Sequence, residues 1–151
     1  MSQISLIHDD IYSELSTLFP SKKILTNNLV IEANNNELLE DGYAVYLGTA
    51  LNTRRLASCQ LSVNREVTIT LTRQIRGSHN SLPKIKEYEK LLLEDQFTLI
   101  KRFSKLDELA TASLNAVNFT NDNGIQRVFS DKRLSIMLES NFEIDYFESL
   151  T

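Results

Sequence analysis

The sequence predicts an α+β domain: a mostly antiparallel central sheet of about four to six strands, flanked by an N-terminal helix and one long central helix. Three observations carry this. Residues 65–75, REVTITLTRQI, alternate without a break, Val67, Ile69 and Leu71 against Thr68, Thr70 and Thr72. That period of two marks a strand burying one face. Ile4, Ile7, Ile11, Leu15 and Leu18 step by three and four, as do Ile85, Tyr88, Leu92, Leu99 and Phe103. Each set draws an apolar stripe down a helix. The 65–75 segment is read as the central strand, with the longer helix laid across its apolar side and its threonine face left polar.

The first helix takes Ser2 or Ser5 as its cap and has Asp9 and Asp10 near its positive end. Pro20 forces Phe19 out of the helical region and ends it. Residues 24–33 read as a first strand with Leu29 and Ile31 inward. Asn34, Asn35 and Asn36 break regularity, and Asp41-Gly42 is a turn signal. Tyr43, Val45 and Leu47 alternate with Ala44 and Tyr46, giving a second strand that pairs with the first. Leu61 and Val63 continue the phase of the central strand, which allows a start before Arg65. Residues 49–58 read as an excursion out of the sheet, in the manner of a binding or assembly loop.

Gly77, His79, Asn80 and Ser81 close the central strand; Ser81 caps the long helix and Pro83 sits in its first turn. Beside the main stripe of that helix runs a second one, Leu93, Phe97 and Ile100. Together they cover more circumference than one sheet contact needs, so the second stripe meets either the N-terminal helix or another subunit. Lys101, Arg102 and Lys105 suit the negative end of the helix dipole. After a softer segment, 105–113, the chain reads as β. Residues 116–120 lead into Asn121-Asp122-Asn123-Gly124, a hairpin-type turn, and 125–129 follow. Residues 130–133 make a second break. Leu134, Ile136, Leu138, Phe142, Ile144 and Tyr146 share one parity, so 134–147 form one long strand whose other face carries Glu139, Glu143 and Asp145.

A chain of 151 residues is expected to fold as one domain, 1–151, with a core that needs no staples. The net charge of −4 argues against general nucleic-acid affinity, which wants a basic footprint. Cys59 is the only cysteine, which excludes an intrachain disulfide and a thiolate metal cluster. The N-terminal residues lack a signal-peptide pattern, and no run approaches a membrane span.

No catalytic chemistry is legible. His8 and His79 are the only histidines and neither belongs to a metal-binding spacing. His8-Asp9-Asp10 reads as helix surface, and Cys59 as a small buried hydrophobe. Glu87, Glu89 and Lys90 sit among Lys84, Lys86 and Glu94, which is a solvated charged face. The one basic cluster is Arg54, Arg55, Arg65, Arg73 and Arg76. Parity puts Arg65 and Arg73 in line with the buried residues, where arginines pair with carboxylates at a sheet rim. The competing reading is a small nucleic-acid-binding module or nuclease, although no stacking aromatics interleave with these arginines. A small-molecule enzyme on the same scaffold is a remoter alternative.

The order of elements runs amphipathic helix, strand pair ending in YAVYLG, irregular loop, EVTITLTRQI, long helix, and a β-rich C-terminus finishing NFEIDYF. It resembles the tail terminator proteins of long-tailed bacteriophages, small ring proteins that stop tail-tube growth and join tail to head. Residues 116–147 are similar to the family's end, where a turn with Asp and Gly precedes a last strand finishing in a Tyr. The resemblance covers nearly the whole chain and is one of pattern. It implies a structural protein and no enzyme, with no cofactor and no metal. Such a protein forms a hexameric ring around the DNA channel at the tail–head junction of the virion, after assembly in the host cytoplasm. Its partners would be its own copies, the tail-tube protein and a head-completion or connector protein, with DNA passing through but not specifically bound and no membrane involved. Under this reading Arg54 and Arg55, with Leu93, Phe97 and Ile100, are candidates for subunit or partner contacts. Glu139, Glu143 and Asp145 are candidates for the channel face, where they would repel DNA. Another head–tail connector or completion protein of similar fold is the neighbouring alternative.

Overall fold

The computed structural model describes residues 2–25, 41–75, 82–105, 114–130 and 133–151. The expectations for Leu29, Ile31, the asparagines at 34–36, Arg76 and the 77–81 turn lie outside the described residues, as does most of the softer 105–113 segment. In chain order the elements are α1 (Gln3–Leu18), β1 (Lys23–Ile24), β2 (Gly42–Ala57), β3 (Gln60–Ile75), α2 (Leu82–Phe103), β4 (Leu114–Ser130) and β5 (Arg133–Ser149). The strands form one sheet in the order β1-β2-β3-β5-β4, antiparallel throughout except that β1 runs parallel to β2. The expected α+β class is the observed one, and β3 is the middle strand.

Both helices lie on one side of the sheet. Ile7, Ile11 and Leu15 of α1 and Ile85, Leu92, Leu99 and Phe103 of α2 join Val67, Ile69, Leu71, Ile136, Leu138, Phe142 and Ile144 in one core. Each such side chain taken out of water contributes about 1.5–3 kcal/mol. Ser2 caps α1, its hydroxyl accepting from the Ser5 amide, and Phe19 leaves helical geometry at the residue before Pro20. Asp9 and Asp10 fall beyond the first turn of α1 and do not meet its N-terminus. The carboxylate there is Glu148 of β5, which accepts from the amides of Gln3 at 2.7 Å and Ile4 at 3.3 Å.

Four expectations are corrected. The segment 49–58 does not leave the sheet: β2 continues to Ala57, with Thr53 opposite Val63, Arg54 opposite Ser62 and Arg55 opposite Leu61. Burial along β2 ends after Val45, and 51–57 is exposed throughout, although Leu61 and Val63 opposite it pack on the core. A strand segment wet on both faces has no apolar alternation to read. Secondly, the described start of the expected first strand, Lys23–Ile24, pairs parallel to β2 and Leu25 leaves strand geometry, while 26–33 lies outside the described residues. Thirdly, Asn121-Asp122-Asn123-Gly124 is no hairpin turn. β4 runs through it as a bulge, with the pairing slipping between Asp122 and Ile125 and Gly124 at φ 77°. The β4–β5 pairing instead runs on to Ser130 opposite Arg133. Lastly, the threonine face is not uniformly wet: Thr70 and Thr72 are buried, beside a second apolar cluster of Leu25, Ala44, Val128 and Met137.

Candidate assembly surfaces

Pairing between β3 and β5 fixes the composition of the sheet face turned away from α1 and α2. Glu66 stands opposite Glu143, Asn64 opposite Asp145 and Thr70 opposite Glu139. The strand parity that sends Val67, Ile69, Leu138 and Phe142 into the core sends these residues to the other side. Like charges directly across a ladder repel by a few tenths of a kcal/mol, roughly the lower end of cross-strand pair energies. Glu66 is exposed, and Glu139, Glu143 and Asp145 are half-buried. Only Asp145 is tied down among these four, accepting from Asn64 Nδ2 at 2.6 Å. Amides occupy the middle of the face. Asn141 accepts from Thr68 Oγ1 at 2.8 Å and donates to Asn121 Oδ1 at 2.7 Å and Asn123 Oδ1 at 3.1 Å. Glu66, Thr68, Asn121, Asn141 and Glu143 line an open depression of about 350 Å3 there. The three carboxylates singled out from sequence therefore share one face, and Glu66 joins them from β3.

The second stripe of α2 divides. Ile100 is half-buried and packs on the core. Leu93 and Phe97, one helical turn apart, keep 46% and 60% of their surface exposed, large values for residues of this size. Lys101 lies 6.0 Å over the Phe97 ring. α1 approaches α2 at Arg102, whose Nε lies 2.8 Å from Glu14 Oε2 and whose Nη2 lies 3.3 Å from Oε1. The N-terminal helix thus covers the C-terminal end of the stripe and leaves Leu93 and Phe97 bare.

The described arginines do not share one surface. Arg65 donates to Tyr146 Oη at 3.1 Å and to the Gly48 carbonyl at 2.8 Å, bracing the β2 bulge. Arg73 makes a two-pronged pair with Asp95 of α2. Arg55 donates to the carbonyls of Ala57 and Ser58, closing its own turn. Arg54 is exposed on the side of the hairpin turned away from α1 and α2, opposite Ser62. Cys59 is exposed at the same turn and is not the buried hydrophobe expected, because the hairpin end carries no covering layer.

Sequence reasoning missed Lys22, Asp95, Glu14 and Glu148. The Lys22 side chain is buried, its Nζ donating to the Thr72 carbonyl at 2.7 Å and lying 3.4 Å from Asp95. Burial lowers its pKa against the opposing pull of Asp95. The hydrogen bonds to Asp95 push the pKa of Arg73 up, and burial pushes up that of Tyr43. Gln96 of α2 bridges Asp122 and Ser140 from the core side. Among the described residues no three His, Cys, Asp or Glu side chains are grouped to hold a metal ion. No described helix is long and apolar enough to cross a membrane. The sequence matches no protein-family model, and a comparison with curated proteins gave no significant match.

Proposed function

We propose that the chain is a structural assembly protein of the tail-terminator kind, a ring at the end of a phage tail tube that stops polymerisation and joins tail to head. A connector or completion protein of similar fold is the alternative within the same class. The observation that supports it most directly is the two-sidedness of the sheet: both helices on one face, and Glu66, Glu139, Glu143 and Asp145 on the other. Copies set around an axis with the acidic face inward would line a channel that repels phosphate and lets DNA slide.

Two further features suit assembly. Among the described residues most of β2 has no strand on its outer side, β1 being Lys23–Ile24, and β4 is the opposite edge of the sheet. Long open edges of this kind invite pairing with another chain, and a closed ring removes them. Leu93 and Phe97 on α2, and Arg54 and Arg55 on the projecting hairpin, are the candidates for contact with a neighbouring copy or the tail-tube protein.

Size-exclusion chromatography with light scattering, run on the chain alone and with tail-tube protein, tests the reading. A closed ring in either sample is the expected result. A strict monomer at high concentration, unchanged by tail-tube protein, would overturn it. The nucleic-acid reading makes a separate prediction, a salt-sensitive shift with DNA or RNA that Arg54→Ala with Arg55→Ala abolishes.

A further inference from the structure

We propose that Asn123 is a self-processing site: in the folded protein it loses its side-chain amide nitrogen to become aspartate or isoaspartate, with Asp122 and Asn141 assisting. The inference is independent of the assembly reading.

Asn123-Gly124 is the only Asn-Gly pair in the sequence. It was the expected turn, yet it sits in the β4 bulge, where neither Asn123 nor Gly124 has a partner in the β5 pairing. Both residues are exposed, so water reaches them and ammonia leaves freely. Gly124 carries no Cβ, and one built on it would meet nothing within 4 Å. The attacking nitrogen is therefore unhindered.

Two hydrogen bonds polarise the reacting groups. The Gly124 amide donates to Asp122 Oδ1 at 2.8 Å, placing a carboxylate on the proton that must leave. Asn141 Nδ2 donates to Asn123 Oδ1 at 3.1 Å, drawing electron density from the carbonyl carbon under attack. The Gly124 nitrogen gives its proton to Asp122 and bonds to Cγ of Asn123. The Cγ–Nδ2 bond breaks, the nitrogen takes up the proton, and ammonia departs, leaving a five-membered succinimide. Water opens that ring at either carbonyl. The net reaction consumes one water and releases one ammonia, with no oxidant or cofactor.

The product adds one carboxylate to the acidic face beside Asn141, on a chain whose net charge is already −4. Opening to isoaspartate also inserts a methylene into the bulge backbone and displaces the side chain from Asn141.

The test follows mass and peptide maps of the full chain incubated at neutral pH, alongside a synthetic peptide of the same local sequence. The expected result is a unit mass gain at Asn123, at a rate in the native chain at least equal to that in the peptide. Asp122→Ala is expected to slow the native reaction severalfold while leaving the matching variant peptide unchanged. A native chain that deamidates more slowly than its peptide overturns the proposal, as does an Asp122→Ala chain that stays folded by circular dichroism and reacts at the wild-type rate. If Asp122→Ala unfolds, Asn141→Leu supplies the second arm: removal of the carbonyl donor is expected to slow the native reaction, and an unchanged rate overturns the assistance.

Discussion

Arg73 of β3 and Asp95 of α2 form a two-pronged ion pair, with Nε 2.6 Å from Oδ2 and Nη2 2.9 Å from Oδ1. Asp95 also faces Lys22, which precedes β1, so one carboxylate joins the helix layer, the central strand and the chain leading into the edge strand. Asp95→Asn would remove the carboxylate that both cations contact and leave Asp41 as the weaker anion acting on them. The expected loss is about 3 kcal/mol, the lower end for a broken buried pair. The lower end applies because the Arg73 side chain keeps 26% of its surface. Urea unfolding with an unchanged m-value checks it, and a variant within about 0.5 kcal/mol of wild type would show that the pair does not clamp the layers.

Lys22 gives a pH dependence of definite sign. Its folded pKa lies below 10.5, chiefly through burial, so between that folded value and 10.5 the unfolded chain binds more protons. Stability contributed by this group therefore rises with pH across that window. Tyr43 acts oppositely above 10.0, where the unfolded chain ionises first. Comparing wild type with Lys22→Met cancels the tyrosine, which both carry. The difference in unfolding free energy is expected to move in favour of wild type as pH climbs towards 10.5; a flat difference would count against a strained lysine.

Asp95 and Glu14 show where sequence reading stops. Asp95 sits at helical spacing between Leu92 and Leu99, and Glu14 between Ile11 and Leu18, so a polar residue on a buried stripe was there to be read. Their partners were not, because Arg73 and Arg102 come from elements whose neighbours only the topology decides. Periodicity found every element that buries one face: α1, β3, α2 and β5. It failed on the outer half of β2, exposed on both sides, and at Gly124, where glycine chemistry serves a bulge as well as a turn. Glu139, Glu143 and Asp145 were legible as one face because strand parity suffices. Glu66 was equally legible by parity within β3, but its place opposite Glu143 required the register.

Gly42 is held by close packing. A Cβ there would come within 2.5 Å of Leu25 Cδ2 and 2.9 Å of the Lys23 carbonyl. Because the second contact is backbone in the parallel β1–β2 pair, rotamer changes alone cannot relieve it. Gly42→Ala is expected to cost about 1–3 kcal/mol, the usual range for overpacking. Thermal unfolding checks the loss, and hydrogen exchange should place the loosening at the Lys23 and Leu25 amides, which bond to Asp41 and Tyr43.

Glu148 links the last strand to the first helix through the amides of Gln3 and Ile4. A carboxylate on free amides at the positive end of a helix acts as a cap from outside the helix. Glu148→Ala is expected to cost about 1 kcal/mol and to raise exchange in the first turn of α1 while leaving α2 unchanged. Equal exchange in both helices would mean that the carboxylate does not anchor α1.

Leu93 and Phe97 separate folding from assembly. Both are exposed on α2 and absent from the buried core, so Leu93→Glu with Phe97→Glu removes little that the isolated chain uses. The double variant is expected to stay within about 0.5 kcal/mol of wild type per substitution, as surface changes do. In the proposed ring the same two carboxylates would be forced into a subunit contact, where burying an unpaired charge costs several kcal/mol, on the order of the whole contact. Light scattering should then find the variant monomeric under conditions where wild type assembles, with matching circular dichroism and melting curves. Assembly that persists in the variant would remove this stripe from the interface and leave the open edges of β2 and β4 as the contact to test next.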